Sequence, residues 1–175
     1  MTILFSFCFV GCFSTTENDD ENTGDVWAIK YYVDEFNKPT NSRYITNVKL
    51  FSGTFSNSAT TNSRLSAKII IDGNGLYIML WEYQNYQVKA YSATNYQITL
   101  RYPNGSKQYI NSTMKKNSDR ITIDIDKWEV FVGAIIDNTA ISVHIEETSS
   151  YGYSSTYLFE IKQSNFNKVF SDYCL

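Results

Sequence analysis

Between residues 27 and 162 apolar and polar side chains alternate with period two in one segment after another, the mark of strands buried on one face. Trp27, Ile29, Tyr31 and Val33 share one face, with Lys30 and Tyr32 turned away. Leu65, Ala67, Ile69 and Ile71 repeat the pattern, and Tyr96, Ile98, Leu100 and Tyr102 stand against Gln97, Thr99 and Arg101. It is cleanest in Ile121, Ile123 and Ile125 against Thr122 and Asp124, and in Ile141, Val143 and Ile145 against Ser142, His144 and Glu146. These isoleucines and Val143 are expected in the core. Residues 76–83 are apolar or aromatic on both faces until Glu82, which predicts a central strand covered on both sides. Asp72-Gly73-Asn74-Gly75 and Asn104-Gly105 have the chemistry of tight hairpins, so neighbouring strands should pair antiparallel.

One segment follows the helical period instead. Trp128, Phe131, Val132 and Ile135 fall at i, i+3, i+4 and i+7, and Asp126 with Glu129 forms the D-x-x-E pattern of a capping box. A short helix plugging one end of the β fold is therefore expected. Phe166, Val169 and Phe170 fit either another helical turn or a final strand. The polar stretches 37–43 and 56–63 read as connections crossing between sheets. Together these features predict an all-β fold, an antiparallel β-sandwich with one short helix, with a lipocalin-like β-barrel as the alternative.

Composition narrows the function classes. With 175 residues, 43% of them hydrophobic and 19% charged, the chain suits a single domain, placed here at residues 25–175. A net charge of -3, with Lys115-Lys116 as the only basic doublet, argues against nucleic acid as a partner. No run of 18 apolar residues is present, so no ordinary transmembrane helix is expected.

The first residues have a different character. Residues 3–10 are apolar or small, Gly11-Cys12 follows, and the chain then turns abruptly polar and acidic through Glu17, Asp19, Asp20 and Glu21. This is the layout of an export signal in front of a tether. At Phe9-Val10-Gly11-Cys12 the chain resembles the lipobox of bacterial lipoproteins, with Phe9 where Leu is usual and no Lys or Arg ahead of the apolar stretch. The resemblance implies a signal peptide at residues 1–11, lipidation of Cys12, a flexible acidic tether at 12–24, and attachment to a bacterial envelope membrane. The outer membrane is the expected one, with the domain on the periplasmic face or the cell surface. Residues 32–36 and 53–63 are similar to segments of small uncharacterised envelope lipoproteins of Bacteroides-type bacteria, a likeness that implies a β-rich exported domain and no particular activity. Cys8 and Cys12 belong to the signal, which leaves Cys174 alone in the domain and no disulfide within it.

Catalytic chemistry finds little purchase. His144 is the only histidine and alternates onto a polar strand face, where a solvated histidine is the simple reading. Residues 152–156 lack the second glycine of a nucleophile elbow. No paired cysteine spacing, second histidine, calcium ladder or phosphate-binding glycine loop occurs, so neither a metal nor a cofactor is expected. Asp124 and Asp126 lie about 6.8 Å apart if they share a strand face, close enough for a polysaccharide hydrolase, and Asp34-Glu35 is a second acidic pair. A solvent-facing Asp124 and a helix-capping Asp126 explain the first pair better.

Binding suits the composition more closely. Fourteen Tyr, 11 Phe and 3 Trp make up 16% of the chain, and amphipathic rings serve glycan and protein contacts, although they also favour strands. Tyr86, Tyr151 and Tyr153 fall outside the alternation and are the candidate ligand-contacting residues. The last two sit in a Ser/Gly-rich loop between patterned strands. The expected function is noncatalytic binding of a protein or glycan; the alternatives are an acid-based polysaccharide hydrolase and a lipocalin-like carrier of small ligands.

Overall fold

The computed structural model describes residues 25–148 and 154–175, so the signal-like segment, Cys12, the tether, Tyr151 and Tyr153 lie outside the described residues. In chain order the elements are β1 (Trp27–Val33), β2 (Pro39–Asn47), β3 (Phe51–Asn57), β4 (Thr60–Asp72), β5 (Gly75–Glu82), β6 (Tyr86–Gln87), β7 (Thr94–Arg101), β8 (Lys107–Met114) and β9 (Ile121–Ile123). Helix α1 (Ile125–Asp137), β10 (Ala140–Glu147), β11 (Thr156–Lys162) and helix α2 (Phe166–Cys174) complete the chain.

The fold is all-β and antiparallel, and its hydrogen-bonded ladder returns to its own start. From β4 it runs through β3, β11, β10, β7, β8, β9 and β5, and β5 pairs back onto β4 from Leu65↔Glu82 to Asp72↔Gly75. Eight strands thus form a closed barrel, which corrects the expected sandwich. Alternation shows that one face of each strand is buried; it does not distinguish a second sheet from the same sheet rolled onto itself. Two strands of the ring each serve two neighbours along one edge. Strand β4 carries β3 on its first half and β2 on its second, through Ile45↔Ile71 and Thr46↔Ile70. Strand β5 carries β9 at Leu76 to Ile78 and β6 at Trp81 and Glu82.

The inward rows fill the barrel. Phe55, Leu65, Ile69, Ile78, Leu80, Ile98, Leu100, Ile141, Val143 and Ile145 are each at most 1% exposed and belong to one continuous cluster. An eight-stranded barrel is just wide enough for side chains to pack its interior. The outward rows carry Gln97, Thr99 and Arg101 on β7, Asn111 and Thr113 on β8, and Ser142, His144 and Glu146 on β10. A membrane-spanning barrel has the opposite distribution, apolar side chains outside and polar ones inside.

Helix α1 closes one end, burying Phe131, Val132, Ala134 and Ile135 as the helical period predicts. Its start differs from the expected capping box. The N-cap is Asp124, not Asp126, no side chain caps the N-terminus, and Ile125 opens α1 with 59% of its surface exposed instead of entering the core. Residues 166–174 form a second helix, α2, resolving the open choice between helix and strand and adding to the one helix expected. The cross-sheet connections also prove local. Residues 39–47 are strand β2, and 57–60 turn a hairpin between β3 and β4, paired at Asn57↔Thr60. The hairpin of β1 and β2 extends past the barrel, which leaves Tyr31 and Val33 51% and 56% exposed on the face expected to be buried. The outward residues of β5, Tyr77, Met79 and Trp81, are half-buried, so that strand is not fully covered on both faces.

One side chain fastens the start of β1 to the C-terminal helix. Asn165 Oδ1 accepts hydrogen bonds from the backbone N–H groups of Val26 (3.1 Å) and Trp27 (2.9 Å), while its Nδ2 donates to Trp27 O (2.8 Å). Trp27 Nε1 donates to Lys162 O at 2.8 Å, and the indole meets Phe166 edge-on at 4.8 Å.

Candidate functional site

Helix α1 follows β9 beside the β4–β5 turn, where Ile123 pairs with Leu76. The opposite mouth of the barrel, where β5 and β10 end, has a different chemistry. On several strands there the inward row runs one step past its apolar residues and ends in a polar one. Leu76, Ile78 and Leu80 lead to Glu82, and Ile141, Val143 and Ile145 lead to Glu147. Tyr96 is preceded in its row by Thr94, Tyr157 by Ser155, and Phe55 is followed by Asn57. Because successive residues of a strand point to opposite faces, these positions converge on the barrel axis. They line a concave mouth of about 510 Å³, together with Tyr86 and Tyr91 on its rim.

The mouth holds two phenols and two carboxyls in an electrostatically coupled group. Tyr157, almost fully buried, donates its hydroxyl to Glu82 Oε1 at 3.2 Å. Burial pushes the Glu82 carboxyl above the usual carboxylate range; the Tyr157 hydrogen bond opposes this, and the charge of Glu147 adds to it. Burial also raises the phenols of Tyr96 and Tyr157 well above the ordinary tyrosine value. The carboxylates of Glu147 and Glu82 reinforce that shift at Tyr96, and Glu82 does so at Tyr157, where the Ser155 hydroxyl works against it. Lys89 lines the same concavity, so the mouth sets one cation beside the two carboxyls and two phenols.

The rim is strained. Tyr83 and Gln84 connect β5 to β6 with φ of 49° and 69°, and Asn85 N closes the turn on Glu82 O at 3.2 Å. Two successive left-handed residues suit the twist of a tight hairpin, but they suit glycine and asparagine far better than tyrosine and glutamine. The turn sets the Tyr83 ring edge-on against Phe55 at 5.0 Å and against Tyr86 at 6.2 Å. Backbone strain of this kind gathers at functional sites. Tyr86 and Tyr91 remain 71% and 90% exposed.

Of the sequence-derived candidates, Tyr86 stands on this rim. Tyr151 and Tyr153 fall outside the described residues, but the base of their loop reaches the same mouth: Glu147 N donates to Ser155 O at 3.0 Å, and both residues line it. Cys12 also lies outside the described residues. The acidic pairs do not line the mouth. Asp34 Oδ1 accepts from the N–H groups of Phe36 and Lys38 in a surface turn, and Asp126 makes a solvent-exposed ion pair with Lys127 at 3.4 Å. His144 sits on the outer face between Thr99 and Leu158. Glu82, Glu147, Tyr96 and Tyr157 escaped the sequence reading, although two of them left a trace: an inward period-two row that ends in Glu, once after Leu80 and once after Ile145.

Among the described residues no group of three or more His, Cys, Asp or Glu is placed to hold a metal ion, and no helix is long and apolar enough to cross a membrane. Compared with family models, curated proteins and solved structures, the chain matches none. The fold and site together describe a small closed antiparallel barrel, plugged by a helix at one end and open at the other through a ring of tyrosines and carboxyls.

Proposed function

We propose that this barrel is a noncatalytic binding domain of a bacterial cell-envelope lipoprotein and that it takes the end of a glycan chain into its open mouth. The observation that carries the reading is the convergence of Glu82, Glu147, Tyr96 and Tyr157 on one concavity rimmed by exposed Tyr86 and Tyr91. Carboxylates accept hydrogen bonds from sugar hydroxyls, and tyrosine faces pack against the apolar faces of sugar rings. A carrier with its ligand in the barrel core is less well supported, because apolar side chains occupy that core. The lipobox-like Phe9-Val10-Gly11-Cys12 supports membrane attachment through Cys12, with the acidic segment as a leash.

A glycan array probed with the full chain tests the reading. Binding should fall at least tenfold in the double variant Tyr86→Ala, Tyr91→Ala, whose exposed rings contribute little to folding. Equal binding by parent and variant would overturn it. Incorporation of labelled palmitate in a bacterial host, lost in Cys12→Ser, tests the anchor. A hydrolase is the second reading, favoured by two carboxyls in one concavity, of which burial raises Glu82 above the usual carboxylate range. Release of reducing ends by the parent but not by Glu82→Gln would favour it over simple binding.

A further inference from the structure

A second concavity lies at the plugged end, between α1, α2 and the β4–β5 turn. It measures about 430 Å³. Its walls are largely apolar: Ile71 from β4, Ile125 and Trp128 from α1, and Phe170 from α2, with the Trp128 and Phe170 rings 6.3 Å apart. Ile125 is 59% exposed at its edge, an unusual position for a large aliphatic residue at the start of a helix whose other apolar side chains are buried or half-buried.

At one side stands a single cation in a fixed position. Arg43 donates from its η2 nitrogen to Tyr173 O at 2.8 Å, and its guanidinium lies over the Tyr173 ring, 5.3 Å from the centroid. A guanidinium has five N–H donors, so one hydrogen bond leaves most of its donor capacity unspent. Among the described residues it makes no ion pair within 4 Å, the two that occur being Arg120 with Asp119 and Lys127 with Asp126. Asp72 lines the same cleft, but its carboxylate is occupied, Oδ2 by the Tyr32 hydroxyl at 2.7 Å and Oδ1 by Asn74 N at 2.8 Å. Asp72 keeps its charge but lies beyond ion-pair distance of Arg43, so an apolar cleft with one oriented guanidinium whose donors are largely unspent matches a ligand with an apolar body and an anionic head.

We propose that this cleft binds a small anionic amphiphile, an alkyl or aryl carboxylate, with its apolar body against Ile125, Trp128 and Phe170 and its carboxylate on Arg43. The site is independent of the barrel mouth, and neither proposal needs the other.

Titration of the full chain with decanoate, and separately with the uncharged 1-decanol, followed by calorimetry and by tryptophan fluorescence, tests the assignment. Decanoate should bind the parent at least tenfold more tightly than decanol does. Arg43→Met should abolish that preference and leave decanol binding unchanged. Ile125→Trp, at an exposed position that folding does not depend on, should block the cleft and weaken both ligands at least tenfold, while Tyr86→Ala should affect neither. Failure of decanoate to bind the parent at millimolar concentration, or equal preference in parent and Arg43→Met, would refute the proposal. If Arg43→Met does not fold, the Ile125→Trp variant decides: undiminished decanoate binding there excludes this cleft.

Discussion

Asn165→Ala isolates the cost of unfastening β1 from α2. The substitution removes three hydrogen bonds at once: two accepted from the Val26 and Trp27 N–H groups and one donated to Trp27 O. Trp27 is 1% exposed, so water cannot replace them at that residue. A hydrogen bond contributes about 0.5–1.5 kcal/mol net, so the three together are worth roughly 1.5–4.5 kcal/mol, within the total stability of about 5–15 kcal/mol usual for a domain. Taking about 3 kcal/mol, and about 2–4 °C per kcal/mol for a chain of this size, the melting midpoint should fall by roughly 6–12 °C. Circular dichroism of parent and variant during thermal unfolding measures it. Two further variants separate the fastening from ordinary capping, since Asn165 is also the N-cap position of α2 but makes no side-chain cap bond. Asn165→Asp keeps the two acceptor bonds but sets a carboxylate oxygen against Trp27 O, so it should recover only part of the loss. Asn165→Ser offers a capping oxygen worth about 1 kcal/mol but is too short to reach β1, so it should recover no more than that. A drop under about 2 °C in Asn165→Ala, or full rescue by Ser, would show that the side chain acts as a helix cap and that the cross-chain bonds carry no weight.

Three other substitutions probe the barrel and its mouth. Glu82 holds its proton to higher pH in the folded than in the unfolded chain, so its contribution to stability is present at low pH and is lost as pH rises through the raised value. Glu82→Gln, neutral throughout and still able to accept from Tyr157, should therefore melt higher than the parent at neutral pH, with the gap closing below the ordinary carboxylate range; parallel melting curves across pH would contradict this. Gln84→Gly should relieve a left-handed backbone at φ 69° and stabilise the chain by about 0.5–1 kcal/mol after the unfolded-state entropy of glycine is subtracted, as read from urea denaturation. Gly53→Ala should do the reverse. A β-carbon there would lie 2.1 Å from Leu158 O and 2.8 Å from Phe159 Cβ, at the β3–β11 seam of the ring, so a loss of roughly 1–3 kcal/mol or more is expected; a loss under about 0.5 kcal/mol would mean that the seam yields easily.

The candidate sites were legible in unequal measure. Tyr86 could be singled out because it interrupts the alternation, and the structure places it on a concave rim. Glu82 and Glu147 were passed over because a carboxylate at the end of an apolar row looks like the place where a strand meets solvent. Only closure of the ring turns those two row ends towards a common axis. Arg43 gave less warning still, since it lies in a polar stretch that reads as a connection, and its partner Tyr173 is 130 positions away.

What the sequence determined by itself was local: strands with period two in residues 65–71, 96–102 and 141–145, the helical stripe from Trp128 to Ile135, and the turns at Gly73-Asn74 and Asn104-Gly105. Each follows from steric and burial rules that act within a few residues, and the structure keeps all of them. Tertiary structure decided the rest. Whether the buried faces meet as two sheets or as one rolled sheet depends on strand order, and that order joins β3 to β11 and β5 to β9, pairs about 50 to 100 residues apart in sequence. It likewise decided that 39–47 would lengthen a sheet edge and that Asn165 would fasten the chain's far ends. Pairings over such separations rest on the summed burial of a whole barrel core, a quantity that no short window of residues contains.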